Sequence, residues 1–206
     1  MRIALQTAVE EAAARDPVLA NLVALAGPIT YRPRSPDGPF GALVRAIVYQ
    51  QLAGAAAATI HGRLLALYGN RAPTPAQLLA TRPARLRRAG LSPQKLGYLR
   101  DLARKVASGA VPLDTLPERD DTAVIEALTE IKGVGTWTAQ MFLMFRLGRL
   151  DVLPVLDLGI QKAMRRAYGL RGMPSPARME KIAAPWRPYR TVACWYLWRS
   201  LEFPPP

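Results

Sequence analysis

Residues Leu128–Leu158 read LTEIKGVGTWTAQMFLMFRLGRLDVLPVLDL, and their order decides the fold. An apolar helical stretch runs into Lys132-Gly133-Val134-Gly135. A second helix follows from about Thr136 to Arg146, and a loop then delivers one acid, Asp157. Upstream, Asp121-Thr122 is placed to cap the first helix, whose apolar Val124, Leu128 and Ile131 keep helical spacing. On the second helix the same spacing puts Trp137, Met141, Met144 and Phe145 on one face. Glycine is wanted where φ is positive or where another group approaches the backbone closely. Such a hairpin leaves unpaired amides at a helix N-terminus, which suits a phosphate, and Lys132 adds a charge beside them. A GxG turn alone is more often an ordinary αα-hairpin than a ligand site.

Composition narrows the partners. Lys and Arg total 28 against 15 Asp and Glu in 206 residues, a formal charge of +13. A surplus of that size favours a polyanion, although an Arg- and Ala-heavy coding bias gives the same count. The single cysteine, Cys194, excludes an internal disulfide and a four-cysteine cluster. The single histidine, His61, excludes a His-based metal site and a Ser-His-Asp triad, and its helical surroundings read as structural. With neither a signal-peptide core nor an apolar run of membrane-spanning length, the expected location is the cytoplasm.

Helical periodicity and caps recur along the chain while alternating β patterns are almost absent, so the expected class is all-α. Helices are expected over about Ile3–Arg15, from Asp16-Pro17 to Gly27-Pro28, Phe40–Leu52, Ala55–Tyr68 and a short one from Thr74-Pro75. Tyr31–Pro39, rich in proline, reads as a loop or crossing. Arg82, Arg85, Arg87 and Arg88 read as a solvated face that also suits a phosphate strand. Ser92-Pro93 opens a helix to about Val106. Gln50 and Gln51 are unusual after an apolar helix; satisfying a helix terminus is their bland explanation. Asp157 is also well placed to cap Leu158–Tyr168, and the last helix, about Tyr189–Leu201, carries Trp195, Tyr196 and Trp198.

The hairpin, Trp137 and Asp157 together resemble the helix-hairpin-helix DNA glycosylases, most closely the 3-methyladenine DNA glycosylase II branch without its amino-terminal β-lobe. LRRAGLSPQKLGYLRDLA and Trp186-Arg187-Pro188-Tyr189-Arg190 extend the resemblance over roughly Asp16–Phe203. It implies a two-lobed helical fold: residues 39–149 with the hairpin unit at about 121–147, and 1–38 plus 150–206 as a second lobe, with a cleft between. It implies Asp157 as the catalytic carboxylate, Asp151 being the rival. Trp137, Met141 and Trp198 would form the base pocket, with Gln51, Lys132, Gly133, Val134, Gly135 and Thr136 on the DNA. Gln51 would be the stack-filling wedge, and Trp137 stands where strand-cutting relatives carry a lysine. The implied activity is monofunctional excision of alkylated purines from damaged double-stranded DNA by a monomer. No cofactor is implied, apart from room for Na+ or K+ on carbonyls 131–136. A non-catalytic hairpin DNA-binding module and a basic helical scaffold are the alternatives.

Overall fold

Short side-chain caps cut the chain into helices. Asp16, Thr74, Ser92, Asp120, Asp157 and Ser175 each accept a backbone N–H two or three residues onward, and each opens a helix. Four of those helices also begin with proline. A computed structural model describes residues 2–31 and 37–203, with side chains from Leu5 onward, and no strand occurs among them. In chain order the helices are α1 (Arg2–Ala14), α2 (Pro17–Ala26), α3 (Gly38–Tyr49), α4 (Gly54–Ala66), α5 (Pro75–Ala80) and α6 (Pro83–Arg88). They continue with α7 (Pro93–Ala107), α8 (Asp121–Thr129), α9 (Thr136–Phe142), α10 (Leu158–Ala167), α11 (Pro176–Ala183) and α12 (Arg190–Ser200). The crossing expected at Tyr31–Pro39 falls mostly on 32–36, outside the described residues.

Three local differences from the sequence reading have physical causes. Asp120, not Asp121, caps α8: its backbone is extended and its carboxylate accepts Ala123 N–H at 2.8 Å. Helices α6 and α11 are too short for periodicity to announce them, though Pro83, Pro176 and Ser175 were their start signals. After α9 the chain makes a π-helical turn over Leu143–Leu147. Met144 is fully buried there, while Trp137 and Phe145 stay exposed, so the four apolar residues do not share one face.

The chain gathers into two units, residues 1–33 with 148–206 and residues 34–147. In the first, α12 packs on α1, α2 and α10 around fully buried Trp186, Met164 and Tyr196. Asp16 is its polar centre. One carboxylate oxygen caps α2, and the other accepts Trp186 Nε1–H at 2.7 Å and the Tyr168 hydroxyl. Burial, reinforced by that hydrogen bond, raises the Tyr168 pKa. In the second unit α3 packs on α4, α7 and α9, and α7 also carries α5 and α6. His61 is buried with its ring edge-on to Tyr49 at 5.9 Å, a core residue.

Candidate active site

The segment before Asp157 is stitched down at both ends. Thr191, fully buried at the start of α12, donates Oγ1–H to Arg149 O at 2.8 Å and accepts Val152 N–H at 3.0 Å. Its own amide donates to Leu150 O. Arg190 grips Asp151 in a fork, Nε to Oδ1 at 2.7 Å and Nη2 to Oδ2 at 3.0 Å, and Arg187 adds a third contact at 3.1 Å. Asp151, the rival acid, is thereby a structural anchor for the loop. Further on, Gln161 Nε2–H donates to Val155 O at 2.8 Å, and the Asp157 amide donates to Pro154 O at 2.9 Å.

Asp157 caps α10 as its position implied, and it is only 8% exposed. Its Oδ1 accepts two N–H donors: Ile160 amide at 2.8 Å and Trp198 indole Nε1 at 3.0 Å. The second donor was not legible from spacing. It is made possible by Gly159, where a methyl group would meet Asp157 Oδ1 at 3.0 Å and Trp198 Cδ1 at 3.1 Å. Trp198 therefore holds the carboxylate with its nitrogen, while its ring remains half-buried. Nearby Cys194 is fully buried, and burial pushes its thiol pKa up, which makes it a packing residue rather than a nucleophile.

In the second unit a hollow of about 540 Å3 brings together Gln51, Gly133, Trp137 and Met141. Its remaining wall includes Tyr49, Gln50, Gln94, Lys95 and Tyr98, the last three from the first turns of α7. Trp137 is 42% exposed and Met141 half-buried. The two glutamines are placed differently. Gln50 Nε2–H donates to Gly133 O at 2.8 Å, tying the end of α3 to the hairpin. Gln51 has φ of 55°, a left-handed conformation uncommon outside glycine, and is exposed at the rim. The Lys95 ammonium donates to Val48 O at 2.6 Å and so closes α3; burial lowers its pKa.

The hairpin rests on α7. Gly133 has φ of +82°, and a methyl group there would overlap the Tyr98 ring at 2.2 Å. Asp101, 6% exposed, accepts the Lys132 amide at 2.9 Å, and the Lys105 ammonium donates to Glu130 O. Two hairpin amides are thus unavailable to a phosphate, because Lys132 N–H serves Asp101 and Val134 N–H serves Ile131 O at 3.0 Å. Val134 is also buried and belongs to the packing of the turn. The amides of Gly133, Gly135 and Thr136 have no acceptor among the described residues, and these three residues are exposed beside the Lys132 side chain. Sequence reasoning missed Gln94, Tyr98 and Asp101. Their spacing on one face of an already expected helix was the available signal.

The comparisons with known proteins agree with this architecture. The pattern of the HhH-GPD superfamily of base excision DNA repair proteins matches residues 44–188. DNA-3-methyladenine glycosylase 1 of Schizosaccharomyces pombe is 37% identical over 185 residues, covering 87% of this chain and 80% of that protein. The solved DNA-3-methyladenine glycosidase of Bacillus halodurans superposes with a TM-score of 0.83 at 40% identity, covering 94% of this chain and 88% of that one. The S. pombe 3-methyladenine DNA glycosylase, solved in complex with abasic DNA, gives 0.86 at 32% identity over 97% and 98% of the two chains. With an extended match to the family pattern and relatives this similar over most of their length, the chain belongs to the HhH-GPD superfamily of base excision DNA repair proteins.

Proposed function

We propose that this protein is a DNA N-glycosylase that excises alkylated purines, of the 3-methyladenine and 7-methylguanine type, and leaves an intact strand with an abasic site. The observation that carries the reading is the Asp157 carboxylate, nearly buried yet fixed through one oxygen by two N–H donors. The relatives' names as 3-methyladenine glycosylases support the substrate class, and the relative solved on abasic DNA supports the nucleic-acid partner.

An enzyme acting on a base within a duplex must first extrude it. Exposed hairpin amides and the Lys132 charge would hold the backbone, and Gln51 would fill the vacated stack. Breaking the bond from C1′ to the base builds positive charge on the sugar. A fixed carboxylate at Asp157 stabilises that oxocarbenium-like state and orients or deprotonates water. An alkylated purine already carries positive charge and leaves as a neutral molecule, so no general acid is required. An aromatic face, that of Trp137 or that of Trp198, would favour the cationic base by roughly 0.5–2 kcal/mol over a neutral one. Trp137 offers no amine for a Schiff base, so borohydride should trap no cross-linked complex. Ile131 O and Gly133 O each accept one N–H and keep a second lone pair, which fits a monovalent cation on the turn.

The test is base release from methylated duplex DNA. The expected products are 3-methyladenine or 7-methylguanine. Release of uracil or 8-oxoguanine with neither methylated base would overturn the substrate assignment. Binding to an abasic analogue without release of any base would favour the non-catalytic module.

A further inference from the structure

From Gly38 to Arg100 the chain carries nine Lys and Arg and no Asp or Glu. Within that acid-free stretch, α4 and α6 enclose a hollow of about 270 Å3, lined by Arg63, Arg85 and Arg88 over Leu67 and Ala89. Several arginines elsewhere already have partners. Arg187 and Arg190 bind acids, Arg15 pairs with Glu11, Arg104 faces Asp101, and Arg87 donates to Leu91 O. The guanidinium groups of Arg63, Arg85 and Arg88 have no acid or hydrogen-bond partner among the described residues. The hollow is also held in shape. Leu86 is fully buried, and Gly90, with φ of +105°, leaves no room for a side chain beside α4, since a methyl group there would meet Ile60 Cγ1 at 3.0 Å.

We propose that this hollow is a second phosphate-binding site, which holds the DNA backbone several base pairs away from the lesion. The proposal rests on the DNA reading above and deepens it. Three arginine forks over an apolar floor match the phosphodiester group, which accepts paired N–H donors. The path to it is short. Helix α4 starts at Gly54, just beyond Gln51, and Arg63 lies nine residues along it, about 13 Å at 1.5 Å per residue. At about 3.4 Å per base pair, that is roughly four pairs of duplex. The exposed positions between them are Ala55, Ala56, Ala58, Thr59 and Gly62, so no long side chain separates a passing strand from the helix.

The test compares the unmodified protein with Arg63→Gln/Arg85→Gln/Arg88→Gln on a duplex of about 16 base pairs carrying one central abasic analogue. A second duplex replaces the phosphates about three to six positions from the lesion with neutral methylphosphonates. On the ordinary duplex the variant should bind on the order of tenfold more weakly at about 50 mM salt, and its log affinity should fall with log salt by about 1–2 less. On the methylphosphonate duplex the two proteins should bind alike. Equal affinity on the ordinary duplex overturns the proposal. So does an arginine effect that survives methylphosphonate, or one abolished by millimolar inorganic phosphate alone, which marks a site for free anions. If the unmodified protein does not prefer the abasic analogue over intact duplex, the DNA-repair reading falls first and this site with it. Should the triple variant misfold, single Arg85→Gln and Arg88→Gln variants and the methylphosphonate loss in the unmodified protein report the same contact.

Discussion

At the scale of single residues, Asp157 combines a cap and a candidate catalyst because its two oxygens need not do the same thing. Oδ1 takes the Ile160 amide and the Trp198 indole, which fixes where Oδ2 points. Asp157→Asn keeps the shape and removes the charge. Base release should fall on the order of 100-fold or more while affinity for an abasic duplex stays within a few-fold. Activity near that of the unmodified protein would move the chemistry to another group. Trp198→Phe separates the two uses of the indole, since phenylalanine keeps an aromatic face and loses the N–H. A hydrogen bond to a charged group contributes about 1.5–3 kcal/mol, so single-turnover release should drop about tenfold or more with affinity little changed. A loss of affinity with an unchanged release rate would assign Trp198 to stacking alone. Asp157 was legible in the sequence because acid, helix start and distance from Trp137 coincided. Gly159 was not, because its reason is a side chain arriving from α12, and one-dimensional spacing does not carry that contact.

At the scale of elements, the hairpin was legible and its support was not. Two glycines flank Val134, yet only one is required by its conformation. Gly133 has positive φ and the Tyr98 ring against it, whereas Gly135 has φ of −97° and open space where a methyl group would sit. Gly133→Ala should therefore cost about 2 kcal/mol or more, through backbone strain and displacement of Tyr98. Gly135→Ala should leave the folding stability within about 0.5 kcal/mol. Denaturant midpoints of the two variants check this, and equal losses would contradict it. The same comparison in DNA binding reports on close approach of a phosphate, because a methyl group at Gly135 meets no protein atom and any loss of affinity in Gly135→Ala then comes from the ligand side. The Ser92-Pro93 start announced α7 without saying that its Tyr98 and Asp101 would face a turn some thirty residues later. The π-helical turn after α9 was equally hidden, since it breaks the period by which a helix is recognised.

At the scale of the whole molecule, charge and burial set the response to conditions. The formal charge of +13 predicts DNA affinity that falls steeply with salt. Stability should also respond to pH through His61, whose pKa burial and the Arg45 charge lower against a smaller opposing effect of Asp37. A lowered histidine pKa means that the unfolded chain binds the proton more readily. Its contribution is therefore complete above the unfolded value of 6.5 and is lost as pH falls through it towards the folded value. Urea midpoints should decline from pH 7 to about pH 5, and His61→Asn should flatten that decline while lowering stability throughout. An unchanged slope in the variant would assign the decline to other groups. The all-α class was readable from period and caps. The binding of one acid-capped helix start to a tryptophan and a tyrosine from the far end of the chain was not.

That last feature bears on how the protein is made. Asp16 leaves the ribosome early, but its partner Trp186 lies 170 residues later. At about 5–20 residues per second, the carboxylate waits roughly 10–30 s for its indole donor. During that interval residues 34–147, a continuous stretch, are complete and contain their own apolar interior. Translation is thus expected to deliver a finished central unit while the first helices remain unassembled and their apolar faces exposed. Pulse proteolysis of stalled nascent chains should find 34–147 protected before the amino-terminal segment, which becomes resistant only once α12 has emerged.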